Sequence, residues 1–138
     1  MAITADTKLH ARTAADRGSL VSLALIAGWL VPGAGHFVAR RPIRGALLLV
    51  AITLIFVLGL LMGGKLYAAN TGNLLDMLGF VGDLGSGVLY AIGRILDLGT
   101  APVQVATADY GTKFIVVAGL LNFIAAVDAH NLRIGRKL

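Results

Sequence analysis

The sequence contains no cysteine, which excludes disulfides, thiolate metal sites and a cysteine nucleophile. Glutamate is also absent, so the 7 acidic residues are all aspartates, set against 12 lysines and arginines. Charged residues make up only 14% of the chain and its mean hydropathy is +0.84, whereas a water-soluble domain carries about a quarter charged residues. This composition is that of an integral membrane protein. The 138 residues allow three or four spans with short loops and leave no room for a separate soluble catalytic domain. No serine, histidine and acid fall in a triad pattern, and there is no phosphate loop, no metal-spaced His and carboxylate cluster and no dinucleotide fingerprint. His10, His36 and His130 are far apart in the chain. The expectation is no catalytic residue, no metal and no intrinsic cofactor. The pI of about 10.1 reflects sparse charges, and no basic and aromatic surface points to nucleic acid.

What is present is apolar helix. Residues 45–64, between Arg44 and Lys65, form 20 uncharged positions, or about 30 Å of helix, which is one bilayer core. Twelve of them are Leu, Ile, Val or Phe, which sums to about −4 to −7 kcal/mol of insertion free energy. An earlier apolar run, residues 19–39, reads as a span whose last turn is irregular, because Pro32 removes a donor and clashes with the preceding turn. A basic stretch followed by an apolar one also fits a secretory signal peptide. A third span is expected over 110–131, with Tyr110 and Lys113 at one end and Asp128, His130 and Arg133 at the other reaching the headgroups.

Between the second and third spans lies a glycine-rich stretch. Leu74, Met77, Leu78, Val81, Leu84, Val88, Ile92 and Ile95 recur at helical spacing, while Asp76, Asp83 and Asp97 fall on another face. Gly79, Ser86 and Gly93 add a small-residue stripe. Buried aspartates make a crossing expensive, so 72–98 is expected as one amphipathic helix at the interface, with a fourth span as the alternative, and Ala101 to Thr107 as loop. The fold class is therefore all-α integral membrane, a single domain of three transmembrane helices, the first two a tight hairpin, plus an interfacial helix. An amino-terminal segment 1–18 and a basic tail 132–138 flank it.

Arg40, Arg41 and Arg44 crowd one turn, and Arg133, Arg136 and Lys137 crowd the tail. By the positive-inside rule both are cytoplasmic and bind lipid phosphates, leaving the amino terminus outside. If the first segment is re-entrant, the amino terminus is cytoplasmic instead. The turn motif Trp29, Pro32, Gly33, Gly35, His36 and Phe37 reads as a hairpin at headgroup level, with Trp29 and Phe37 packing near the interface. His36 there is either a hydrogen-bonded structural residue or a ligand to chlorophyll magnesium or haem iron. Gly59 and Gly63 form a GxxxG pair, and Asn122 is expected to make an interhelical hydrogen bond; both mark helix packing. Asp128 pairs with Arg133 or with the arginine turn, or relays protons with His130.

The residues WLVPGAGHF with the following arginines and glycine, and then DYGTKF, AGLLNF, VDAHN and GRK, resemble a family of small bacterial multi-pass membrane proteins of unknown function. The first motif is also similar to a wider group of two-helix hairpins with a PG-x-GH turn. The resemblance implies a three-span architecture with a variable outer segment and carries no catalytic residues. His130 and Asn131 depart from it, standing where a more acidic pair is expected.

Three functions follow as expectations. The first is a non-catalytic accessory subunit of a larger complex in the bacterial inner membrane, most readily an energy-transducing photosynthetic or respiratory one. Its spans would pack on a partner by small-residue faces, in contact with lipids or chlorophyll-type pigments. The alternative is a small homo-oligomeric transporter or channel with Asn122 and Asp128 lining the path. An intramembrane enzyme would require His36 and Asp128 to meet.

Overall fold

A computed structural model describes residues 2–69, 72–100 and 106–135, and among these there are helices and turns but no strands. The helices are α1 (Ala2–Leu30), α2 (Ala34–Val38), α3 (Pro42–Leu61), α4 (Leu74–Leu84), α5 (Val88–Ile95) and α6 (Ala106–Arg133). The chain is built as two units of one plan: a helix that stops at a glycine turn, a shorter helix that doubles back, and then one long helix. Two helices, α3 and α6, are long and apolar enough to cross a membrane, and α4 with α5 qualifies as a third, broken or re-entrant segment bent by 112°.

Helix α6 is the axis of the molecule because one of its faces is nearly bare. Ala108, Gly111, Ile115, Ala118, Asn122, Ala125 and Ala129 recur along that face and are all buried. Small side chains let neighbouring backbones approach closely where lipid removes any hydrophobic drive between helices. Helix α3 runs antiparallel to α6, with Gly59 against Gly111 and Ile115. Helix α1 is also antiparallel, since Val21 lies by His130, Gly28 by Ala126 and Trp29 by Asn122. Its last residue therefore stops about halfway along α6. Val31, Pro32 and Gly33 turn the chain back, and α2 returns it beside Ala24 and Ala129. Helix α4 approaches from the other end, parallel to α6, with Gly82 against Val116 and Gly85 against Gly119. Helix α5 leads back out to Leu66 and Phe56.

Several expectations are corrected by this arrangement. The run 19–39 is not one helix with an irregular last turn: it breaks at Val31 to Gly33, where Pro32 cannot continue the ladder, and doubles back. Residues 2–18 are not a separate segment but the beginning of α1, and the start of α1 lies on the same end of α6 as the arginine turn. Residues 72–98 are two helices, not one, separated at Gly85 to Gly87. Gly87 has φ +59 and ψ −117, a conformation open to glycine, and a Cβ there would strike Trp29 O and Leu30 O. The pattern of α4 is also inside out. Leu75 and Leu78 are 76% and 62% exposed, while Gly79, Gly82 and Asp83 are buried, which is the order a lipid solvent imposes. The third long helix begins at Ala106, so Ala106 and Thr107 are helical, while 101–105 lie outside the described residues, as do Arg136 and Lys137.

Gly63 is not a packing residue on a helix. Helix α3 ends at Leu61, and Gly63 takes φ +79 so that the Gly64 N–H reaches back to Gly59 O, the hydrogen bond of a Schellman cap. The GxxxG spacing here includes a stop signal, with Gly59 on the helix and Gly64 just past it both against the α6 backbone. The same closure, N–H of residue i+5 to O of residue i, ends α2 (Arg41 to His36) and α5 (Leu98 to Gly93).

A side chain at position 119 would overlap Gly82 O, since α4 and α6 touch there backbone to backbone. Gly119→Ala is expected to cost about 1–3 kcal/mol despite the better helix propensity of alanine. Gly18→Ala, where nothing lies within 4 Å, is expected to be neutral or slightly stabilising. Thermal unfolding of the two variants in the same detergent checks both.

Candidate functional site: the hairpin junction and the His36 and Asp128 pair

The two hairpin tips end in the apolar middle of the molecule, where a helix terminus has carbonyls without intrahelical partners. Asn122, fully buried on α6, supplies the donors. Its Nδ2 donates to Trp29 O at 2.8 Å and to Gly85 O at 2.9 Å, so one amide closes the end of α1 and the turn after α4 together. Trp29 adds a cross-link, donating from Nε1 to Leu84 O at 3.1 Å. Trp29 is thus at the junction, joined to Leu84 and Asn122. Pro32 and Gly33 are buried beside it, with Gly33 against Gly45 and Leu49 of α3, and the Phe37 ring covers Gly45. The Oδ1 of Asn122 is buried and has no hydrogen-bond partner among the described residues.

Toward the arginine end, α2 places His36 against α6. Its Nε2 lies 3.3 Å from Asp128 Oδ2, across 92 residues of sequence. His36 is 2% exposed and Asp128 28%, so the carboxylate faces outward and the imidazole lies behind it. His36 Nδ1 is buried without a partner among the described residues. Asp128 thus lies against His36, and His130 turns its Nδ1 to Val21 O at 3.4 Å, tying α1 to α6. His36 therefore has its Nε2 on a carboxylate and its Nδ1 enclosed. The contact required of an intramembrane dyad is met, with the imidazole buried and the carboxylate facing outward.

At the opposite end, a polar mouth holds the second hairpin. Asp83, fully buried, accepts the Tyr67 N–H at 2.7 Å through Oδ2, and Tyr90 donates its hydroxyl to Tyr67 O at 2.8 Å. Thr112 accepts the Lys65 N–H and donates to Ala108 O, both at 2.9 Å. Lys113 and Asp109 form an exposed pair at 3.6 Å. Arg40 and Arg44 are exposed and Arg41 and Arg133 partly so, all at the end where α3 starts and α6 finishes. Gly79 and Gly93, members with Ser86 of the expected small-residue stripe, are buried with it, against Tyr67 and against Leu66 and Phe56.

The comparisons bear on this arrangement directly, since residues 23–138 match DUF6677, a family of unknown function. The chain belongs to that family. The DUF6677 match takes in both hairpin turns, both long helices and the His36 and Asp128 pair, and it assigns a role to none of them. No curated protein and no solved structure matches the chain.

Sequence reasoning singled out Asn122, His36 and Asp128 but not what each touches, and it passed over Asp83 as a ligand of backbone and over Thr112. Two signals point to the junction: the two Gly-x-Gly turns, at 33–35 and 85–87, and the alanine and glycine spacing of 108–129. Replacing Asn122 by leucine leaves Trp29 O and Gly85 O buried without that donor. The expected loss is about 2 kcal/mol, read as a lower midpoint on titration from mild detergent into dodecyl sulfate.

Proposed function

We propose that this chain is a small membrane transport unit for monovalent cations. In this reading α3 and α6 cross the bilayer, and the pairs α1/α2 and α4/α5 are re-entrant hairpins from opposite faces. The arginine turn, the start of α1 and the carboxyl terminus all lie on the cytoplasmic side by the positive-inside rule. The observation that carries it is the meeting of two half-length hairpin tips at Asn122. Broken backbone at membrane depth is tolerated only where protein or a water path covers it, and opposed broken elements around a midplane site are the working parts of many transporters. The warrant is architectural.

Charge favours a cation. The carboxyl ends of α1 and α4, which carry the negative end of the helix dipole, face the junction, and the Asn122 Oδ1 there is an acceptor without a donor among the described residues. Asp128 adds a carboxylate at the cytoplasmic mouth. The junction is closed in this conformation, with Asn122, Gly85 and Gly87 buried, so a path opens there by movement of a hairpin or between two copies.

The accessory-subunit reading needs small residues facing outward to receive a partner. The glycines that meet α6, Gly59, Gly82 and Gly85, are buried within the chain, while Leu47, Val50, Leu54, Leu75 and Leu78 lie outside together with Ala46 and Ala51.

Purified protein in liposomes is expected to carry a potassium flux above that of empty vesicles, and Asp128→Asn is expected to abolish it. A rate equal to empty vesicles for the folded wild-type protein contradicts the reading.

A further inference from the structure

A furrow runs along the outside of α6 from the hairpin junction to Asp128. It consists of three successive hollows of about 370, 300 and 270 Å³. Trp29 and Phe123 are shared by the first and second, and Phe123 and Val127 by the second and third, so the three form one channel open to the side. Its deep end is Val81, Leu84 and the bare backbone of Gly85 and Gly119. Leu25 and Ile26 of α1 form the opposite wall. From Gly119 to Asn131 the furrow follows twelve residues of helix, about 18 Å, close to the ~15 Å that one leaflet's acyl chains occupy.

The chemistry changes only at the outer end. Phe123, Ile124 and Val127 give way to Asp128 and Asn131, a carboxylate and an amide at the level where a headgroup sits. Asp128 is the carboxylate lining this opening, at an end that also carries Arg40, Arg41, Arg44 and Arg133. Arginines alone select anionic lipid. A carboxylate at the furrow mouth repels such a headgroup and accepts hydrogen bonds from an ammonium, while a phosphate on the same lipid remains within the field of the arginines.

We propose that the furrow binds an aminophospholipid, with one acyl chain laid between Trp29 and Phe123 and its ammonium on Asp128 and Asn131. Binding is independent of transport and stands or falls separately from it. The occupant is a structural lipid of the hairpin junction, filling the side of α6 that no helix of this chain covers.

Trp29 is the sole tryptophan, so its fluorescence reports the deep end of the furrow. The full chain is reconstituted in phosphatidylcholine vesicles containing either phosphatidylethanolamine or phosphatidylglycerol, brominated near the end of one chain, and quenching of Trp29 is measured. Brominated phosphatidylethanolamine is expected to quench at about threefold lower mole fraction than phosphatidylglycerol, the scale of one half-exposed ion pair. Asp128→Asn is expected to bring the two lipids level, while Val127→Phe, which fills the channel, weakens quenching by both. Equal quenching by the two lipids in the wild type, stronger quenching by phosphatidylglycerol, or a preference that survives Asp128→Asn overturns the proposal.

Discussion

A helix that stops in an apolar interior leaves carbonyl oxygens with no water to bond, and in this chain two helices stop there, arriving from opposite ends. Each orphaned group costs more in such surroundings than at a wet surface. The Asn122 amide answers both ends with one nitrogen, bonding Trp29 O and Gly85 O, and the Trp29 indole answers Leu84 O. The rest of the fold is arranged so that these groups can meet. The bare face of α6 brings α1, α3 and α4 close enough, Gly87 lets the second tip lie on the carbonyls of the first, and Pro32 ends the first hairpin at the matching depth.

The same arrangement separates the polar groups into three places. Asn122 stands in the middle; the His36 and Asp128 pair lies toward the arginine end; Asp83, Tyr67, Thr112 and Lys65 close the other. Asn122 in the middle bonds both hairpins, and Asp128 reaches outward into a cleft. A transport reading centres on the junction and a lipid-binding reading on the furrow beside it, and both draw on Asp128.

Much of this was legible in the sequence, and the misreadings share one cause. The uncharged run before Lys65 declared α3, the arginine pairings declared one face, and Pro32 with Gly33 declared a break. Depth was not legible. Whether a proline turn lies at headgroup level or halfway down depends on which residues of α6 it meets, and Trp29 with Asn122 are 93 residues apart. The stretch 72–98 showed a correct period but an inverted meaning: its leucines were taken for a face lying on the interface, whereas they face outward from a pair of helices whose glycines and Asp83 are inside. Periodicity reports that two faces differ and not which solvent each one meets. Gly63 misled for a related reason, since a four-residue glycine spacing serves a packing stripe and a helix cap equally well.

In the proposed topology two hairpins enter from opposite faces and α1 does not cross. Because the chain has no cysteine, single cysteines placed at Thr13, Arg44, Thr100 and Ile134 report sidedness without background when labelled with an impermeant maleimide on sealed, oriented vesicles. The account predicts that positions 13, 44 and 134 react from one side and position 100 from the other. Labelling of position 13 from the side opposite to 44 makes α1 a crossing helix and contradicts it.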